Sequence, residues 1–178
     1  MIAKPALLKK STIWKWLAKL CRRLDSSVME EIAAKPFPDS FLRGFNTKDC
    51  FTKEQNIAIG AFQFGDHTNE RNDNFHEASI NWEDDENAVT NLLAQKKEDT
   101  DEQMFKYGYA RLPLNLVKMT LKSLIDKKYL DFERKPLANN HYHGNILIPG
   151  GINKQERSMI QNNLAAIANN DAHLMTLE

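Results

Sequence analysis

Between Ile57 and Ile148 the hydrophobic period of the chain keeps switching, from runs short enough for strands to stretches with a helical repeat and back. A sequence patterned this way has to build a layer of strands and cover it with helices, because neither kind of element can bury its apolar side alone. His76 to Trp82 alternates at period two. Tyr129 to Glu133 and Tyr142 to Ile148 read as further strands, and Met104 to Leu112 sets Phe105, Tyr107 and Tyr109 on one face. Ile57 to Phe64, apolar, aromatic and ended by Gly65-Asp66, reads as a buried strand.

The helical stretches carry their own end signals. Glu83, Asp84, Asp85 and Glu86 put acids in the first turn of a helix expected to run to about Gln95, where they complement the helix dipole. Pro113 suits the first turn of a helix bearing Leu116, Val117, Leu121, Leu124 and Ile125. Asn153 and Glu156 have capping spacing ahead of a helix from Lys154 to Ala168. Pro36 to Cys50 is expected to be irregular and Asn169 onward to fray. The expected fold is therefore α+β, a small mixed sheet of about five strands covered by helices.

An N-terminal amphipathic helical arm precedes this body. Ile13, Trp16, Leu17, Leu20 and Leu24 recur at helical spacing, with Trp14 and Cys21 widening the stripe. Lys15, Lys19, Arg22 and Arg23 gather on the opposite arc, and Lys4, Lys9 and Lys10 add to the positive charge ahead of the first acid, Asp25. A short second helix is expected around Val28 to Ala34, ended by Pro36 and Pro38. The chain thus divides into a basic helical segment, 1–35, and an α+β domain, 36–178. One apolar and one basic face call for a surface to meet, so Trp14, Lys15, Trp16, Lys19, Leu20, Arg22 and Arg23 are the candidate partner-binding residues. That surface is the protein's own core, a larger protein subunit, or nucleic acid or a membrane surface.

Composition narrows the classes. With 178 residues, 42% hydrophobic and 27% charged, the chain is neither a disordered nor a membrane composition, and Lys+Arg 24 against Asp+Glu 24 leaves no net field to attract nucleic acid. Only a local basic patch such as the N-terminal arc offers that attraction. No run approaches the ~18–20 apolar residues that span a bilayer. The two cysteines, Cys21 and Cys50, have no metal-ligand spacing, which fits a reducing, cytoplasmic setting.

Chemistry-bearing residues are sparse. His141 and His143 stand two apart, which on a strand turns both imidazoles to one face, and His76 or His67 is a conceivable third metal ligand. No HExxH or CxxC accompanies them, so the expectation is no bound metal and no cofactor. Histidine as a general acid or base would need an orienting carboxylate, for which Glu77, Asp84 and Asp85 are the candidates. Arg43 with Glu77 and Ser79 faintly suggests the site of a nicotinamide-dinucleotide-using transferase. No catalytic residue is assigned.

Gly60-Ala61-Phe62, then Glu77 to Trp82, then Leu137 to Ile146 occur in an order that resembles small uncharacterised bacterial proteins encoded as accessory components of conflict and anti-phage operons. Where those have proline after the asparagine, this chain has His141 after Asn140. The resemblance implies a role that depends on partners: an accessory or adaptor subunit without catalysis of its own, in an antiviral assembly with an ATPase and a nuclease effector. A small enzyme using His141 or His143, and a nucleic-acid-binding module using the N-terminal helix, are the alternatives.

Overall fold

The computed structural model describes residues 26–66, 75–97 and 100–175. The expected arm, with Trp14, Lys15, Trp16, Lys19, Leu20, Arg22 and Arg23, lies outside the described residues, as do Cys21 and His67. What is described begins in a helix, residues 26–33 (α1), which stops ahead of Pro36 because a proline disfavours helical backbone in the residue before it.

The α+β expectation holds, with a larger and simpler sheet than expected. Seven strands form one sheet: β1 (Ser40–Gly44), β2 (Gly65–Asp66), β3 (Phe75–Trp82), β4 (Gly108–Pro113), β5 (Asp131–Arg134), β6 (His143–Pro149) and β7 (Ala172–Leu174). Six follow the order β5-β6-β3-β1-β4-β7, and β2 pairs with β3 beside that path. Every pairing is antiparallel, so the sheet is not mixed. The helices after α1 are α2 (Asn87–Ala94), α3 (Leu114–Thr120), α4 (Lys122–Asp126) and α5 (Lys154–Ala168).

Alternation sorts the two faces of the sheet. Phe41, Ala78, Ile80, Trp82, Ala110, Leu112, Phe132, Ile146 and Ile148 turn to one side, where they pack with Val117, Leu124, Ile160 and Leu164 of α3, α4 and α5. Burying side chains of this size contributes about 1.5–3 kcal/mol each. Trp82 is fully buried, stacked on Phe37 with ring centroids 4.6 Å apart. Its indole crosses β6 at Gly144, where an added Cβ would collide with the indole nitrogen and with the Glu133 carbonyl that this nitrogen bonds.

Several expectations are overturned. Pro36 to Cys50 is not irregular, since it contains β1, a strand inside the sheet. Ile57 to Phe64 is not a strand: residues Ile59–Phe62 form a 3-10 turn. The Asn169 side chain accepts from Ile57 N at 2.8 Å and donates to Ile57 O at 3.1 Å, doing for that backbone what a neighbouring strand would do. The tail does not fray at Asn169, because Ala172–Leu174 pairs with β4. The helix after Trp82 starts only at Asn87, so Glu83 and Asp84 do not serve its dipole. The stretch read as one helix after Pro113 breaks at Leu121 (φ −104°, ψ 16°) into α3 and α4.

Arg43 occupies the place where the sheet forks. β1 pairs with β3 only as far as Leu42↔Asn81, and β2 takes over the same edge of β3 at Glu77. In the gap the Arg43 guanidinium donates to the Ser79 carbonyl and, at 2.7 Å, to the Ala61 carbonyl, over the ring of Phe62. Burial lowers its pKa from the usual arginine value. Arg43 turns to the packed apolar face with Phe41, while Glu77 and Ser79 turn to the other, so the three do not line one site as a dinucleotide-using transferase would need.

Candidate functional site

The second face of the sheet is where polar side chains collect. The register sets His143 beside Asn81, Asn81 beside Leu42 and Leu42 beside Arg111, one row across β6, β3, β1 and β4. Next to it run Ser79 and Asn145, then Glu77. Cross-strand neighbours on one face have Cβ atoms about 5 Å apart, so such rows bring their groups within reach of one small molecule. Ala88 and Leu92 of α2 pack on Leu42, with Phe105, Tyr109 and Tyr142 around them. Phe105 lies flat on the strand at Gly44, where any Cβ would strike its ring.

α2, the segment after it and the turn before β6 leave a cleft of about 220 Å³ over this face, its walls including Leu42, Ser79, Asn81, Gln95, Asn140 and His143. Asn140 and Asn81, both 3% exposed, are fixed in orientation by a chain of bonds. Tyr142 N donates to Asn140 Oδ1 at 3.2 Å, so the other end of that amide must be Nδ2. Asn140 Nδ2 donates in turn to Asn81 Oδ1 at 3.0 Å. Asn81 Nδ2 is thereby set, and it is buried without an acceptor among the described residues, as is Gln95 Nε2. A buried donor left unpaired costs about 1–3 kcal/mol.

His143 is oriented in the same manner. Its Nδ1 lies 2.7 Å from the Lys135 carbonyl, and since a carbonyl only accepts, Nδ1 carries the proton and Nε2 is the acceptor of the neutral ring. Burial pushes its pKa below the ordinary histidine value, against a smaller opposite pull from that backbone bond, so the ring is neutral at pH 7.

The nearby carboxylates are engaged in holding the structure. Asp84 receives both Nη1 (2.8 Å) and Nη2 (2.6 Å) of Arg134, whose guanidinium also donates to the Lys35 and Pro36 carbonyls. Glu83 takes a two-pronged contact from Arg111, at 2.7 Å and 2.6 Å, plus the Ser40 hydroxyl. Burial pushes the Glu83 carboxyl up, but these bonds outweigh it and hold it below the usual carboxylate range. Asp85 accepts from Asn87 N and from the Tyr142 hydroxyl. Burial first, and the Asp85 bond second, push that hydroxyl up to about 12. Glu77 accepts from Asn145 at 2.9 Å and lies 3.5 Å from Lys135 Nζ.

Of the histidines singled out in the sequence that are among the described residues, only His143 lines the cleft. His141 sits in the turn before β6, so the two do not share a strand face as expected, and it is exposed. His76 opens β3 opposite Ile148. Among the described residues no three His, Cys, Asp or Glu side chains converge as a metal would need. Cys50 is a buried thiol, and no described helix is long and apolar enough to cross a membrane. Sequence reasoning missed Asn81, Asn140 and Gln95. The one available hint was an amide between Ile80 and Trp82 at the end of an alternating strand.

Comparison with protein-family models, with curated proteins and with solved structures finds no significant match to this chain.

Proposed function

We propose that this protein acts by contact, as a non-catalytic accessory or adaptor subunit of a larger protein assembly. The observation that carries this reading is how the ionisable groups around the cleft are used. Histidine acting as a general base needs its free nitrogen at the substrate and a partner that stabilises the imidazolium it becomes. His143 has a backbone carbonyl as that partner, and the carboxylates that would replace it, Glu77, Asp84 and Asp85, are each bound elsewhere.

The sequence supplies the means of contact in the basic, tryptophan-bearing segment ahead of Asp25, with Trp14, Trp16 and Leu20 on the apolar side and Lys15, Lys19, Arg22 and Arg23 on the other. The resemblance to accessory proteins of anti-phage operons makes a cytoplasmic defence assembly, with an ATPase and a nuclease effector, the concrete version of this proposal.

The test is recovery of the tagged full chain from its native host, alongside a variant with Lys15, Lys19, Arg22 and Arg23 all changed to glutamate. The reading expects a stoichiometric protein partner that the variant loses. Recovery of the wild-type chain alone, or a partner kept unchanged by the variant, overturns it. Association that collapses steeply with added salt and is destroyed by nuclease points to nucleic acid instead.

A further inference from the structure

We propose that β7 is the interface of a homodimer, in which the sheet edge at Ala172–Leu174 pairs antiparallel with the same edge of a second copy of this chain. This goes beyond the accessory reading and stands or falls separately from it, since it uses no residue of the basic segment.

The sheet ends on two strands, β5 and β7, and they are finished differently. Arg111 N donates to the Asp171 carbonyl at 3.0 Å, and Met175 N donates to the Tyr107 carbonyl at 3.2 Å. Bonded and non-bonded pairs alternate along an antiparallel ladder, so Tyr109 and His173 form the bonded pair between those two. The N–H and C=O of Ala172 and Leu174 therefore point away from β4, and they have no partner among the described residues. On β5 the bond from Lys135 N to the His143 carbonyl sets the same alternation and turns the backbone of Phe132 and Arg134 outward. There the Phe132 N–H is taken by the Asp131 carboxylate at 2.8 Å, and Asp131 and Glu133 place charge along the strand. Charges on an edge strand discourage the addition of another strand. β7 lacks this protection: Ala172-His173-Leu174-Met175 contains no acid, lysine or arginine, and Leu174 and Met175 are 38% and 42% exposed.

Complementarity selects a second copy as the occupant. A twofold axis beside His173 sets Ala172 of each copy opposite Leu174 of the other, and every outward N–H on these residues then meets an outward C=O. The side chains match as well. Ala172 and Leu174 share the face of Ala110, so in the dimer each Leu174 lies beside the small Ala172 across the axis and continues the apolar layer. On the opposite face His173 meets its own copy, each ring still stacked on Tyr109 with centroids 4.7 Å apart. A three-residue edge is a small contact, at the low end of interface sizes near about 1,200 Å², so the dimer is weak and concentration-dependent.

Sedimentation equilibrium of the full chain from about 1 µM to about 1 mM tests this. The expected result is a reversible monomer–dimer equilibrium. Leu174→Lys, at an exposed position, should weaken it at least about tenfold with an unchanged circular dichroism spectrum. Leu174→Pro, which removes an N–H that β4 does not use, should weaken it as much. His173→Cys in a Cys21→Ser chain should give a disulfide-linked dimer in air, because facing residues of a non-bonded pair have Cα atoms about 4.5 Å apart, inside the disulfide range. Lys122→Cys on α4, in the same background, should not. A chain that stays monomeric to about 1 mM overturns the proposal and leaves the edge to a strand from another protein. So does a dimer left unchanged by folded Leu174→Lys, or one that His173→Cys links no faster than Lys122→Cys.

Discussion

The two faces of the sheet are built from the same strands by the same alternation, yet they reach different ends. On the face covered by α3, α4 and α5, aromatic and branched side chains fill the space, and polar atoms there, such as the Trp82 indole nitrogen, find partners. On the face under α2, the buried apolar cluster is small, Leu42, Ala88 and Leu92 with partly buried Val89, Phe105, Tyr109 and Tyr142 against it, and amide, imidazole and carboxylate groups share the surface. Some of those groups are held rigidly without being satisfied. A fold can leave donors unpaired only if the packed face supplies surplus stability, so the first face sustains the second.

Substitutions can break this comparison or refine it. The largest effect belongs to the packed face: Trp82→Ala, which removes a fully buried indole stacked on Phe37 and lying under the Arg134 guanidinium, should lower unfolding free energy in urea by about 3–5 kcal/mol. An equal loss from Asn81→Ala would erase the distinction between the faces. Next comes Asp84→Asn at the sheet edge. Arg134 keeps its two backbone carbonyls but loses a charged two-pronged contact, and about 1.5–3 kcal/mol should go in the same measurement. Asn153→Ala, which removes the oxygen accepting from Glu156 N at the start of α5, should cost about 1 kcal/mol.

The smallest signal sharpens the account of the cleft face. Because the folded state holds the His143 pKa down, acidification below about pH 6.5 protonates the unfolded chain before the folded one. Stability is therefore fully present above that pH and falls as pH drops through the window between the unfolded and folded values. His143→Gln should flatten this part of the stability profile while leaving in place the separate loss as pH falls through the ordinary carboxylate range toward the lower folded value of Glu83. An unchanged slope just below about pH 6.5 would show that the ring is not desolvated.

Much of the scaffold was legible in the sequence, and the gaps have physical causes. The α5 range and its Asn153 cap could be read directly, because a helix of that length carries several turns of period and a bonded start signal. The β3 and β6 ranges were within a residue because both are long for strands and rich in apolar residues, β3 with a clear period of two. β1 was hidden by the prolines and glycine around Phe41-Leu42, and β7 by being three residues that only β4 holds in place. Ile57 to Phe64 misled because a short apolar run packs equally well as a strand or as a 3-10 turn, and a side chain more than a hundred residues away, Asn169, decides between them. The cleft was least legible of all. Amides have no spacing signature, and what distinguishes Asn81 is a bond from Asn140, which only the folded register brings near.

Arg43 has a consequence for how the sheet assembles. A strand that slides by one position turns every side chain to the opposite side, and on most strands the penalty is a few misplaced hydrocarbons. On β1 a slide would also carry the guanidinium away from the carbonyls of Ala61 and Ser79, stranding a cation and two acceptors together. The arginine thus works as a key cut for one lock position. A misaligned β1 is therefore penalised where it meets β3 and the turn over Ile59–Phe62, and not only in the apolar layer beneath.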